Sequence, residues 1–263
     1  MKLTEQHDTT VVVTGVASGI GAATAEHLAG LGHHVVVADR RANPAEEVAR
    51  ELTSRGHRSS AAECDVADAR SVDALFARVA EELPPLVGLV NNAGVGNLKP
   101  LEAYTPSEVD LIWSVNVSGT YNCLRSAAPL LRRNAGAVVN VASVSAVHPT
   151  RGEAPYSAAK AAVVALTASA ALEWAPEVRV NCVSPGFIRT PLNDLLATNE
   201  EWLEGIRERT PAGRLGTPRD VAETVAFLLS DASAYVTGQN LVIDGGSALT
   251  NAQMDPLFTE LLG

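Results

Sequence analysis

Short apolar runs alternate with amphipathic stretches along almost the whole chain. "TTVVVTG" at 9–15 is a continuous apolar run that stops at a glycine, and a helical pattern from Ile20 to Leu31 follows it. "HHVVVADR" at 33–40 predicts a second strand, with a helix over 44–55. "SSAAECDV" at 59–66 predicts a third strand, and 69–83 a helix that ends before two prolines. "PLVGLVNNAG" at 85–94 and "GAVVNVAS" at 136–143 predict the fourth and fifth strands, separated by one long helix over 106–133. An Ala-rich helix over 155–175, "VRVNCVSPG" at 178–186, a helix over 218–230 and "NLVIDGG" at 240–246 complete the pattern. Unbroken Val/Ile/Leu runs are the signature of strands buried on both faces. Strands that alternate with helices require right-handed crossovers and a doubly wound parallel sheet. The predicted fold class is therefore α/β, as a single Rossmann-type domain with helices on both faces. No linker, repeat or low-complexity tract divides it.

Composition narrows the function classes. The chain has 263 residues, of which 46% are hydrophobic, enough for a sizeable core. Its 20 basic and 30 acidic residues give a net charge of −10, which disfavours nucleic acid or an anionic membrane as a partner. Cys64, Cys123 and Cys182 are widely spaced, fitting a reducing compartment and neither a disulfide framework nor a thiolate metal site. The N-terminus is polar, and the longest apolar stretch, 161–172, is too short to span a bilayer. A cytoplasmic location is the expectation, with no metal site, since no His/Asp/Glu cluster suggests one.

In a doubly wound sheet, ligands sit beyond the carboxyl ends of the strands. The first strand runs into "TGVASGIGAA", where Gly15, Gly19 and Gly21, with Ser18 and Ile20 among them, open a helix. Glycines let the backbone approach a ligand, and a helix N-terminus offers free N–H groups to a pyrophosphate. The G-x-x-x-G-x-G spacing is a weak signal alone. Asp39 at the end of the second strand strengthens it: a carboxylate there accepts from ribose hydroxyls and repels a 2′-phosphate, favouring NAD over NADP. Arg40 and Arg41 complicate that preference, because either could turn toward a 2′-phosphate.

"TGVASGIG", "DV" at 65–66, "NNAG" at 91–94, "VNVSGT" at 115–120, Ser143, "YSAAK" at 156–160, "SPGFIRT" at 184–190 and "VIDGG" at 242–246 occur in this order. Together they resemble the short-chain dehydrogenase/reductase family over nearly the whole chain. The resemblance implies a seven-stranded sheet, with a cofactor half over about 9–145 and a catalytic part over about 143–250. It implies that Asp65 and Val66 flank the adenine and that Asn92, Ala93 and Gly94 lie along the cofactor. Gly186 would border the cofactor, and Ile188 and Thr190 would contact the nicotinamide carboxamide. It also implies that Asn116 distorts its helix and holds a water beside the lysine. Homotetramers or homodimers built on the two long helices would be common. Residues 191–216 resemble the family's variable substrate lid, with Leu192, Leu195, Leu196 and Trp202 able to close over an apolar substrate, or to pack on the core. The tail with Met254, Leu257, Phe258 and Leu261 would pack on a neighbouring subunit or fray.

Tyr156 and Lys160 stand four apart and share a helix face. A lysine ammonium about 5 Å away at an effective dielectric of about 20 contributes roughly 3 kcal/mol, or about two pKa units on a tyrosine that starts near 10. With the positive nicotinamide ring adding to this in the oxidising direction, the expectation is a tyrosine near 7–8, able to exchange protons with an alcohol. Ser143 could steady the substrate oxygen. Lysine suits the site because its compact charge can also bond ribose hydroxyls. His148 and Arg151 in the loop before Tyr156 could contact substrate, Arg151 by holding a carboxylate, and Ser145 faces the same pocket. The expected activity is hydride transfer between a secondary alcohol and NAD, on a small-molecule substrate. An NADPH-dependent carbonyl or 3-oxoacyl carrier-protein reductase is the alternative. A non-catalytic dinucleotide-sensing module is the reading from another class.

Overall fold

The computed structural model describes residues 8–190 and 199–249. Seven parallel strands form one sheet: β1 Thr10–Thr14, β2 His34–Asp39, β3 Ser59–Glu63, β4 Leu86–Asn91, β5 Ala137–Val141, β6 Arg179–Pro185 and β7 Asn240–Ile243. Their order is β3-β2-β1-β4-β5-β6-β7, so the direction of winding reverses between β1 and β4. The helices are α1 Gly19–Gly30, α2 Ala42–Ser54, α3 Ala69–Glu82, α4 Pro106–Trp113, α5 Gly119–Arg133, α6 Ala154–Trp174, α7 Glu200–Glu208 and α8 Pro218–Leu229. Among the described residues no helix is long and apolar enough to cross a membrane.

Alternate strand residues face opposite sides, which produces two core layers. On one side Val11, Val13, Val35 and Val37 pack under α1, α2 and α8 through Ala25, Leu28, Leu52, Val221 and Val225. On the other, Val12, Val36, Leu89 and Val138 pack under α3, α5 and α6 through Phe76, Leu124, Leu131 and Trp174. Both faces are thus covered, as the unbroken apolar runs require. Helix starts are set by local chemistry. Thr105 with Glu108, and Thr217 with Asp220, form reciprocal capping boxes, each followed by a proline in the first turn.

The predicted strands and the helices before 106 and after 153 agree with the observed ones to within about two residues at most ends, the usual scatter at element ends. The third strand stops earlier, at Glu63, because Asp65 turns the chain by accepting from the Ala67 N–H at 2.9 Å. The long helix expected over 106–133 is interrupted. Residues Ser114–Ser118 form a π-helical turn between α4 and α5. There the Asn116 side-chain amide donates to Ile112 O at 2.8 Å and to Val95 O at 2.7 Å. A side-chain donor that takes the carbonyl four residues back competes with the backbone ladder and widens the turn. Of the expected lid, α7 is described, with Leu203 buried. Leu192, Leu195, Leu196, the Trp202 side chain and the tail residues from Met254 onward lie outside the described residues.

Leu131 is fully buried where α5 turns back toward β5. Leu131→Ala is expected to destabilise the fold by about 2–5 kcal/mol, read from the midpoint of urea unfolding.

Candidate active site

The carboxyl ends of β1 and β4 diverge at the switch point, and the loops after them are tied together. Thr14 Oγ1 accepts from both Asn92 N and Ala93 N at 3.1 Å. The Asn92 side-chain amide donates to Thr14 O at 2.9 Å and Gly15 O at 2.8 Å. Asn92 therefore holds the glycine loop in place. Gly15 has φ +70°, and a Cβ on it would sit 2.6 Å from Ala93 Cα. A Cβ on Gly21 would sit 2.3 Å from Gly15 O, so the first turn of α1 and the loop admit no side chain there. Ser18 precedes α1 without a side-chain cap, and no acidic residue occupies the first turn. That leaves the N–H groups of Gly19, Ile20 and Gly21 available to an anion.

Asp39 ends β2 beside this loop. Its carboxylate accepts from Ala17 N and from Arg41 N, both at 3.1 Å. Arg41, not Arg40, is the basic residue near it, with Nε 3.8 Å from Asp39 Oδ1, and its side chain is largely exposed. Arg40 is exposed and makes no ion pair among the described residues. Asp65 shapes its own turn, and Val66 is buried against Gly119 at the start of α5. Gly186 abuts Asp244 after β7; Ile188 is buried and pairs with Gly216; Thr190 reaches over Gly19.

The second half of the site gathers at the ends of β4, β5 and α6. Lys160 is only 3% exposed, and its ammonium donates to Val141 O at 2.8 Å, with Nζ 5.6 Å from the centre of the Tyr156 ring. A Cβ on Gly94 would lie 2.7 Å from Asn116 Oδ1 and 3.1 Å from Lys160 Nζ. Asn116 Oδ1 is buried with no hydrogen-bond partner, one of the few such atoms among the described residues. Gly94, Asn116, Tyr156 and Lys160 are thereby brought together, and Ser143 after β5 lies close enough to the Tyr156 phenol to act on its ionisation. The Gly15–Gly21 loop, the side-chain-free approach at Gly94 and the orphaned amide oxygen fit a dinucleotide laid across the strand ends. Gly15, Ser18, Gly19, Ile20, Gly21, Asp39, Asn92, Ala93, Gly94, Ile188, Thr190 and Lys160 could hold it.

Electrostatics differ from the expectation. Burial pushes the Tyr156 phenol up to about 12; the nearby Ser143 hydroxyl acts downward and the Glu153 carboxylate upward. Burial lowers the Lys160 ammonium to about 8. A tyrosine near 7–8 is therefore not the state of the ligand-free chain. The expectation counted the attraction of the ammonium and of a bound nicotinamide ring, and left out the cost of removing a phenolate from water, which dominates in the ligand-free chain.

Of the remaining residues, His148 and Arg151 are exposed on the loop before α6. Ser145 is 5% exposed; it donates from Oγ to Glu153 Oε2 at 2.9 Å, and its N–H donates to Ser143 Oγ at 3.1 Å. Thr14 and Glu153 are site residues that the motifs did not single out. Thr14 directly precedes the first loop glycine, a signal that was present. Glu153 had none beyond its proximity to Tyr156.

Residues 15–248 match the family profile described as enoyl-(acyl carrier protein) reductase. The chain is 38% identical over 249 residues to a 3-oxoacyl-(acyl-carrier-protein) reductase of Staphylococcus aureus, covering 94% of this chain and 99% of the relative. It is 42% identical over 238 residues to cis-4-hydroxycyclohexanecarboxylate dehydrogenase of Sinomonas cyclohexanicum, covering 89% of this chain and 94% of that one. The fold matches a gluconate 5-dehydrogenase of Burkholderia cenocepacia, solved with NADP and tartrate, at a TM-score of 0.89 and 31% identity, over 95% and 98% of the two chains. With these matches spanning almost its full length, the chain belongs to the short-chain dehydrogenase/reductase family and is a nicotinamide-dinucleotide-dependent oxidoreductase acting on CH–OH groups.

Proposed function

We propose that Tyr156 is the proton-exchanging group of this reaction, that Ser143, Lys160 and Asn116 support it, and that the chain prefers NAD to NADP. The observation carrying this reading is the buried Lys160 ammonium 5.6 Å from the Tyr156 ring on the next helical turn, with the Ser143 hydroxyl acting on the same phenol. When bound, the dinucleotide supplies the hydride acceptor or donor. Tyr156 and Ser143 grip the substrate oxygen. Ser143 donates to that oxygen as charge builds on it. In the ketone-reducing direction the phenol of Tyr156 gives its proton to the oxygen, and its neutral form is the one that burial favours. In the alcohol-oxidising direction Tyr156 must accept the alcohol proton as a phenolate, which added positive charge at the site would favour. Lys160 is in position to bond ribose hydroxyls through the protons not committed to Val141 O. The unpartnered Oδ1 of Asn116 suits a water that would refill the tyrosine proton. The 3-oxoacyl reductase among the relatives keeps the reducing direction as a second reading, one that the raised tyrosine favours.

The NAD preference rests on Asp39. Its carboxylate is held by the loop N–H of Ala17, where a 2′-phosphate would meet its charge. The structural relative solved with NADP makes this a property to be tested for each chain. The same reading has residues 1–263 acting as one dinucleotide-binding unit in the cytoplasm, with the three cysteines buried and free. It also includes a homotetramer or homodimer. Leu111, Trp113 and Tyr121 are exposed apolar side chains on α4 and α5, and Phe227, Tyr235 and Val242 are exposed near the edge strand β7.

Tyr156→Phe is expected to lower turnover by about two to four orders of magnitude while leaving dinucleotide affinity within about twofold, checked by initial rates and by nucleotide fluorescence titration. Turnover close to that of the unaltered protein would overturn the role of Tyr156. Asp39→Ala should shift the ratio of kcat/KM for NADP over NAD upward by about tenfold or more; an unchanged ratio removes the argument for NAD. Light scattering should give a mass two or four times 27.4 kDa.

A further inference from the structure

We propose that Glu153 is a charge-selecting residue of the substrate site, and that it favours secondary alcohols or ketones bearing a cationic group over those bearing a carboxylate. The inference rests on the reading above, in which Ser143 and Tyr156 grip the reacting oxygen. Glu153 is the last residue before α6, three positions ahead of Tyr156. Its Oε2 accepts from the buried Ser145 hydroxyl at 2.9 Å, and the Ser145 N–H donates to Ser143 Oγ at 3.1 Å. The carboxylate is thus two hydrogen bonds from the serine that would hold the substrate oxygen.

The position is fixed from a second side. Tyr104 Oη donates to Gly152 O at 2.7 Å, Lys99 N donates to the same carbonyl at 2.9 Å, and the Leu98 side chain fills the space over Gly152. The loop after β4 and the loop before α6 are therefore latched together immediately beside Glu153. Its charge is felt at both phenols bordering this space, raising Tyr104 and Tyr156 alike, in each case after the larger effect of burial.

The charge has no cationic partner among the described residues. Lys99 is engaged by Glu108, and Arg151 and His148 are exposed with no ion pair to Glu153. With a hydroxyl partner and no cation among the described residues, the carboxylate presents a net negative charge beside the site. The positive end of α6 compensates part of it. A ligand ammonium would compensate more, and a ligand carboxylate would meet repulsion. This charge preference is opposite to the one Arg151 would give if it held a carboxylate.

Three matched probes test the inference: 4-aminocyclohexanol, 4-methylcyclohexanol and 4-hydroxycyclohexanecarboxylate. Their binding to the dinucleotide-saturated protein is measured by calorimetry, and their turnover by dinucleotide absorbance. The expected result is affinity about tenfold or more higher for the amine than for the carboxylate, collapsing to about twofold in Glu153→Gln. Glu153→Ala serves as a second neutral variant should the glutamine not fold. Glu82→Gln, at the far end of α3, controls for the overall negative charge and should keep the ranking. No preference in the unaltered protein, a preference surviving both neutral variants, or failure of the amine to bind overturns the inference. A ranking that depends on Glu153 without turnover of any probe upholds charge selection and counts instead against the role given to Tyr156.

Discussion

The ammonium of Lys160 is held inside the protein by the carbonyl of Val141, and much of the surrounding architecture exists around that placement. A buried cation is tolerated only where acceptors surround it. Here the acceptor is the carbonyl of Val141 at the end of β5, while Gly94 leaves room beside the ammonium and the unpartnered amide oxygen of Asn116 borders the same gap. Each of these groups belongs to a different element of the fold. The lysine can therefore be in place only when β4, β5, the π turn and α6 are mutually seated. Its pKa near 8 records how unfavourable the burial is and why a dinucleotide with hydroxyl groups to offer would be welcome there.

A second set of polar contacts keeps these elements in register. The Asn91 amide donates to Asn140 Oδ1 at 2.8 Å, and the Asn140 amide donates to Thr167 Oγ1 at 2.9 Å. These residues lie one behind another across β4, β5 and α6, all buried. A hydrogen-bonded chain of amides in a dry interior fixes the alignment of its elements more strictly than apolar contact does, since a slip would leave each amide unpaired. At the other half of the sheet Thr14 and Asn92 do the same for the glycine loop. The two halves of the site are thus positioned by short polar ties across strand ends, and the apolar layers supply cohesion.

The fold was legible because buried parallel strands write continuous Val/Ile runs, and glycines or prolines bracket them. Val11–Val13, Val35–Val37 and Val138–Val139 needed no tertiary knowledge to recognise. Tyr156 with Lys160 and Gly15 with Gly21 were legible from spacing. The break at Asn116 was implied only by family resemblance. Whether an asparagine caps, breaks or decorates a helix depends on which carbonyl its amide finds, and Val95 O lies in another loop. The ionisation of Tyr156 was not legible, because spacing reports attraction to a neighbour and says nothing of exclusion from water. Glu153 was obscured for a similar reason. Its partner Ser145 is eight residues away, and the loop geometry that joins them has no pattern of its own.

The π turn at 114–118 also sets the phase of everything after it. An α-helix advances its face by about 100° per residue, so one widened turn rotates all of α5 relative to α4. With that rotation Gly119 meets Val66, the Asn122 amide reaches Val66 O at 3.0 Å, and Leu124 and Leu131 face the sheet. Straightening the helix by losing a single residue here would swing those contacts toward solvent. The spot that exposes the Asn116 amide to the lysine is thus also what aims the following fifteen-residue helix at the sheet, which couples a local feature of the chemistry to the packing of a whole layer.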